Sequence, residues 1–401
     1  MKVCLDMAKK IQDWIQTKKN KYQLQKDIQR LLIDYGGVNR FGSLVVCSRV
    51  PLSSAVPVKR SEQEQKARYL NLAFCHNKWV CPFCATYAAR NFEQEVSAVV
   101  NWAYSNHYAV SMITLTVPHG AGDRIDVIVD RFNDALRRLK MSYFWHSLRQ
   151  RFGIIGEIKS TECTHGKNGF HWHVHSLYIH DSGVTFSDEL AAIREAWRSA
   201  IIKAGFRNSK GKALAAFNKR AVHVMDNAPT SAYLAKHGEG FWGVEKEMAC
   251  GVTVKAPEDG NKTLWELVNG SPEEQRAFVN FVAAVKGRQR THFSRGLKAR
   301  AGIVEKTDEQ IAEEQERMEQ EEIIAALDLQ QWNFVVKNEL RADLLAAAGV
   351  SGYDGIRNLL QRGGFDYLAR TVAEIQTFAQ HEIQQQQEEQ QQQIRIFLGS
   401  G

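Results

Sequence analysis

Three histidines alternate along one apolar run, Gly169-Phe170-His171-Trp172-His173-Val174-His175-Ser176-Leu177-Tyr178-Ile179. Residues two apart in a strand point to the same face, so the run predicts a strand that projects His171, His173 and His175 together while Trp172, Val174 and Leu177 pack elsewhere. Imidazoles converging on one face are suited to hold a divalent metal. They also suit a half-buried strand in which histidines only pack, so the metal reading needs partners from other parts of the chain.

Two segments offer them. Val110-Ser111-Met112-Ile113-Thr114-Leu115-Thr116-Val117-Pro118-His119 alternates apolar and small polar residues and reads as a second strand. Pro229-Thr230-Ser231-Ala232-Tyr233-Leu234-Ala235-Lys236-His237 reads as a helix start, with proline and hydroxyl residues in its first turn. Tyr233, Lys236 and His237 are spaced i, i+3 and i+4, which puts a phenol and a cation on one helix face.

The rest of the chain supports a mixed fold. Helix is predicted over about 6–35, followed by a break at Gly36-Gly37, and again over 85–106. A strand starts near Tyr108, and 124–150 reads as helix with Phe132, Leu136, Leu139 and Phe144 at core spacing. Strands at 154–164 and 170–180 form a hairpin through Thr164–Asn168, a helix over 187–204 carries Trp197 into the core, and Ala221–Val224 adds a short strand. The fold class that results is α+β, an antiparallel sheet flanked by helices whose central strand presents the histidines. Residues 305–348 read as helix with an acidic first half, and Gln384–Gln393 is a Gln/Glu-rich tract, so a mainly helical tail is expected. The expected division is 1–40 helical, 41–106 metal module and connecting helix, 107–300 catalytic, and 301–401 acidic and Gln-rich.

Seven cysteines and no apolar leader after Met1-Lys2-Val3-Cys4-Leu5-Asp6 point to a reducing, cytoplasmic setting rather than a disulfide framework. Cys81-Pro82-Phe83-Cys84 places two thiolates in one turn, and Cys47 with Cys75 completes a tetrahedral set for structural Zn²⁺. The alternatives are a redox pair or buried free thiols. No apolar run approaches the ~18 residues that span a bilayer, so no membrane partner is expected.

Charge is unevenly placed. The total is +7, but residues 305–328 hold ten acidic and two basic side chains and residues 329–401 eight and six, which leaves +17 on residues 1–304. Such an excess suits a phosphate backbone, whose counterions are released by Lys and Arg contacts. Arg290, Arg295 and Lys298 are the leading DNA contacts, with Arg137, Arg138, Lys140, Lys286, Arg288 and Arg300 as further candidates.

In this order, a Thr-Leu-Thr strand, a His-hydrophobe-His strand and a Tyr-x-x-Lys helix resemble the three motifs of the HUH endonucleases. Glu162-Cys163-Thr164-His165-Gly166-Lys167-Asn168-Gly169-Phe170-His171 and Thr291-His292-Phe293-Ser294-Arg295-Gly296-Leu297-Lys298 bring the resemblance closer to plasmid rolling-circle replication initiators of the single-tyrosine type, over roughly residues 45–300. A similar cysteine cluster precedes the motifs in that family. The resemblance implies an HUH-type sheet, a strand-specific nick at a replication origin, and a covalent 5′-phosphotyrosine that leaves a free 3′-hydroxyl. It implies Tyr233 as nucleophile with Lys236 neutralising charge. It further implies a metal ion, expected to be Mg²⁺ or Mn²⁺, held by His173, His175 and a third ligand, for which Glu162 is preferred, His171 is the alternative and Glu157 a weaker one.

Some such initiators carry a glutamate one turn before the tyrosine; here that place is Pro229, so Asp226, Glu239 or a second strand's 3′-hydroxyl has to serve the second transfer. Implied partners are single-stranded or supercoiled origin DNA, a host helicase, DNA polymerase and single-strand-binding protein, and a second copy of the chain. No Gly-x-x-x-x-Gly-Lys-Ser/Thr loop is present, so unwinding falls to a partner. The rival readings are a single-tyrosine transposase, a relaxase, and a non-catalytic zinc protein that regulates replication by binding DNA.

Overall fold

The computed structural model describes residues 2–228 and 261–365. Its strands are β1 (Ala55–Ser61), β2 (Lys66–Tyr69), β3 (Tyr108–Thr116), β4 (Gly156–Gly166), β5 (Gly169–Asp181), β6 (Val222–Met225), β7 (Thr291–Phe293) and β8 (Glu321–Asp328). They form two antiparallel sheets, ordered β2-β1-β8 and β6-β3-β5-β4-β7. The chain divides into two compact units, one of Met1–Lys26, Val46–Cys75 and Glu313–Gly401, the other of Asp27–Val45 and His76–Ala312.

The second unit is built on the five-stranded sheet. Gly169 opens β5 at φ +81°, a backbone state that suits glycine, and an added Cβ there would meet the Gly120 carbonyl oxygen at 2.9 Å. The tight turn at Lys167-Asn168 and the unbroken ladder from Gly156↔Ile179 to Gly166↔Gly169 fix the β4–β5 register. Since β5 lies between β3 and β4, its odd-numbered residues share one face with Thr114 and Thr116 of β3 and Ser160 and Glu162 of β4.

One end of that face is core. Helix Cys84–Ser105 repeats apolar residues at 92, 96, 99, 100 and 103, a stripe of helical period that packs on Val110, Met112, Ile158, Leu177 and Ile179. Leu177 therefore shares the histidine face, correcting the expectation that it packs away from it; it is an even number of residues from His175. Trp172 and Val174 do face the other way, where Trp172 stacks on Trp79 at 5.5 Å. On that side Tyr178 meets Trp145 and Phe186, and Phe132 meets Trp197 at 5.4 Å. The predicted helix over 124–150 is two helices, Ile125–Lys140 and Tyr143–Arg151, because Ser142 caps a new start by accepting from Trp145 N. Trp145 rather than Phe144 is the buried aromatic there.

The first unit corrects the helical reading of 305–348. Helix Asp308–Glu316 is followed by strand β8, then by helices Leu329–Lys337 and Arg341–Gln361. β8 pairs with β1, more than 250 residues earlier, a partnership that local propensity cannot announce. Ala325 and Leu327 bury fully, and Trp332 adds its indole N–H to the Arg49 carbonyl at 2.8 Å. Arg68 clamps the strand's first residue, donating Nε to Glu321 Oε2 at 2.8 Å and Nη2 to Oε1 at 2.5 Å, with Lys59 Nζ 3.0 Å from the same carboxylate.

The Arg68 hydrogen bonds hold the Glu321 carboxyl down to about 2, against an ordinary 4.5, although burial works the other way. A lowered folded-state value means that the pair's stabilisation is complete above pH ~4.5 and is lost as pH falls toward ~2. Chemical denaturation of the full chain followed at several pH values should show Glu321→Gln less stable than the parent at neutral pH, with the gap closing through that window.

Candidate functional site

The β4–β5–β3 register assembles a three-residue constellation. Glu162 lies directly opposite His173 in the β4–β5 ladder, and His175 lies opposite Ser160 on one side and Thr114 on the other. Ligand atoms of Glu162, His173 and His175 all lie within 4.8 Å of one another and can hold a metal ion. Glu162 Oε2 is 3.2 Å from His173 Nε2 and 3.6 Å from His175 Nε2. Nearest-neighbour geometry in an antiparallel pair brings facing side chains close without any loop, so the site is held by backbone hydrogen bonds.

Its electrostatics favour a cation. Burial raises the Glu162 carboxyl, but hydrogen bonds to His173 and His175 outweigh burial and hold it well below the usual carboxylate range. The site thus offers one negative oxygen donor and two imidazole nitrogens, a donor set suited to a divalent first-row ion. Thr114 Oγ1 sits 2.8 Å from His175 Nδ1 and fixes the ring, leaving Nε2 turned to Glu162. Ser160 Oγ and His173 Nδ1 are buried beside the trio with no hydrogen-bond partner among the described residues, polar atoms whose solvation falls to whatever fills the site. These residues fit a bound divalent ion.

The other expected ligands stand apart. His171 stacks on His173 with ring centroids 4.9 Å apart and faces His119 at 5.3 Å, outside the trio. Glu157 is on the opposite sheet face, where Lys140 Nζ approaches both its oxygens at 2.7 and 2.6 Å and Tyr178 donates at 3.1 Å. The parity of 157 against 162 carried that signal in the sequence. Asp226 is also occupied, accepting from Ser111, from Ser187 and from the backbone N–H groups of Phe186 and Ser187. Tyr233, Lys236, His237, Pro229 and Glu239 lie outside the described residues.

Cys81 and Cys84 flank the start of helix Cys84–Ser105, with Ala85 N donating to Cys81 O at 2.9 Å. Cys75 N donates to Cys47 Sγ at 3.4 Å. Cys47 and Cys75 belong to the first unit and Cys81 and Cys84 to the second, each pair offering sulfur donors of the kind a metal ion takes.

Of the three leading DNA contacts only Arg295 is exposed. Arg290 is 3% accessible, which corrects its placement on a DNA-facing surface, and its carbonyl accepts from Thr161 N. Lys298 pairs with Glu95 at 2.8 Å and lies over the Phe293 ring. Arg137 and Arg138 share Asp134, and Arg288 pairs with Asp130. A run of basic residues in the sequence carries no information about which of them find acidic partners in the fold.

Titration calorimetry with Mn²⁺ should find one site abolished in Glu162→Gln and weakened about tenfold or more in Thr114→Val, since ligand-orienting partners carry that much affinity. Binding should also weaken toward acid pH, because imidazole ligands must be neutral.

Comparison with known proteins gives one point of similarity. A curated protein of Streptomyces lividans named "Protein rep" is 30% identical over 138 residues, a match covering 27% of this chain and 30% of that protein. The match thus spans less than a third of the relative's length. No family model matches the chain, and no solved structure matches it.

Proposed function

We propose that this chain is a metal-dependent, strand-specific DNA nickase and strand transferase that initiates rolling-circle replication of a plasmid or similar element. The observation that carries the reading is the Glu162, His173 and His175 trio on the middle strands of an antiparallel sheet. The similarity to a protein named for replication supports the same direction, as does the excess of positive charge before residue 305.

In this reading residues 107–300 are the nicking region, and Glu162, His173 and His175 hold Mg²⁺ or Mn²⁺. The bound ion supplies Lewis-acid polarisation of a phosphoryl oxygen. Tyr233 Oη attacks the phosphorus of the scissile phosphodiester and loses its proton to water. The bond to the 3′ oxygen breaks, that oxygen takes up a proton to become a free 3′-hydroxyl, and the 5′ side remains as a phosphotyrosine ester. Lys236, three residues after Tyr233 in the sequence, neutralises the charge that develops on the phosphate. The four-cysteine group holds structural Zn²⁺. The substrate is single-stranded or supercoiled origin DNA, the setting is the cytoplasm, and the chain works with a host helicase, polymerase and single-strand-binding protein, as a monomer or a homodimer. Among the described residues no helix is long and apolar enough to cross a membrane.

Incubation with single-stranded DNA of its own replicon and Mn²⁺ should give a DNA-shifted protein band on a denaturing gel. Tyr233→Phe should abolish the band while DNA binding persists, and His173→Ala should reduce it at least a hundredfold. A band retained in Tyr233→Phe would move the nucleophile to another residue. DNA binding with no band in any form would leave the non-catalytic regulator.

A further inference from the structure

Within the unit that holds the trio, and lined in part by His119, lies a cleft of about 480 Å³ that the nicking chemistry does not use. Four cations line it, Arg124, Arg131, Arg207 and Lys210, against one carboxylate, Asp123. Asp123 is committed to the wall itself, accepting from Gly120 N at 2.7 Å, and Arg207 reaches it only at 3.4 Å. Arg124 pairs with Asp126, whereas Arg131 and Lys210 make no ion pair among the described residues.

Backbone adds to this positive lining. Helix Ile125–Lys140 begins at the cleft with Arg124 as its N-cap, and helix Gly211–Arg220 begins there with Lys210 as its N-cap; neither start has a side-chain cap. Ala213 N already donates to Lys210 O at 3.1 Å, and the Asp126 carboxylate takes the Asp126 and Val127 N–H groups, so what the two helix starts add to the lining is the positive end of each backbone dipole. Val127, Ile128 and Phe206 supply an apolar part of the wall. Cationic and apolar groups around a volume of a few hundred Å³ match one nucleotide, with phosphate on the cations and base on the apolar wall.

The cleft is coupled to the trio by a row of rings. His119 lines the cleft and faces His171 at 5.3 Å, and His171 stacks on His173 at 4.9 Å. The His119 ring is anchored by a 3.0 Å hydrogen bond from Nδ1 to the Asn168 carbonyl, so the loop carrying it is tied to the β4–β5 turn. At ~3.4 Å of rise per nucleotide, the row spans only a few nucleotides of a strand.

We propose that this cleft is a subsite for a nucleotide of single-stranded DNA lying a few positions from the phosphate held at Glu162, His173 and His175. The assignment rests on the DNA reading above, and goes beyond it in naming where the strand is gripped. A cleft lined by cations and bearing an apolar wall suits the base of an unpaired nucleotide, whose faces are not already stacked within a duplex, so the subsite favours single strands.

The test uses the full chain and a short fluorescein-labelled single-stranded oligonucleotide of mixed sequence, with anisotropy read across a salt series. Arg131→Gln plus Lys210→Gln should weaken binding about tenfold and make the salt slope shallower by about 0.7 for each phosphate that is no longer neutralised. Arg149→Gln, an exposed arginine outside the cleft, should change neither, and binding of the matching duplex should fall less than that of the single strand. Unchanged affinity and slope in the double variant, or an equal weakening in Arg149→Gln, overturns the subsite; circular dichroism melts show whether each variant is folded, and single Arg131→Gln and Lys210→Gln variants repeat the reading if the double one is not. Adduct formation is scored separately. Weakened binding in the cleft variants with no adduct even in the parent protein keeps the subsite and removes the nickase.

Discussion

The cross-strand pairing of Glu162 with His173 is the interaction on which the site depends. It sets a carboxylate opposite an imidazole at the centre of a sheet, where backbone ladders on both sides hold the two strands in register. A one-residue slip of β4 against β5 would carry Glu162 to the other face and remove it from the histidines altogether. The turn at Lys167-Asn168, with Gly169 in a left-handed conformation against Gly120, therefore does chemical service as well as structural. It fixes the register and also anchors the loop that carries His119.

Charge is the second constraint. Glu162 is ionised and largely buried, and a buried carboxylate is costly unless it is paired or binds a metal. Two imidazoles can meet that demand by sharing protons or by joining the carboxylate around a cation. A divalent ion satisfies all three donors at once, and Thr114 holds one of the rings ready for it. The same principle runs through the first unit, where Glu321 is buried against Arg68 and Lys59 and ties β8 to β1 and β2. In one unit the paired charges hold strands together; in the other they leave donors facing a common point.

Basic residues divide along similar lines. Most of those singled out by position in the chain are consumed by neighbours: Lys140 by Glu157, Arg137 and Arg138 by Asp134, Lys298 by Glu95. Arg131 and Lys210, which line the cleft, make no ion pair among the described residues and stay open to an anionic ligand. Net charge counts the basic residues, while folding decides which of them are already paired.

The sequence alone determined the elements with strong local periodicity. The β4–β5 hairpin, the strand beginning at Tyr108, helix Cys84–Ser105 and the short strand near Val222 follow from alternation, helical spacing and glycine placement, which act over a few residues. Glu162 with His173 and His175 was legible for the same reason, since a hairpin converts sequence distance into cross-strand pairing. Tertiary structure alone decided that Glu321–Asp328 is a strand, because its partner β1 lies at the other end of the chain. It also decided that Arg290 is buried, that Glu157 answers to Lys140, and that residues near 124 and 210 line one cleft. Those outcomes depend on which distant surfaces meet, and local propensity carries no record of that.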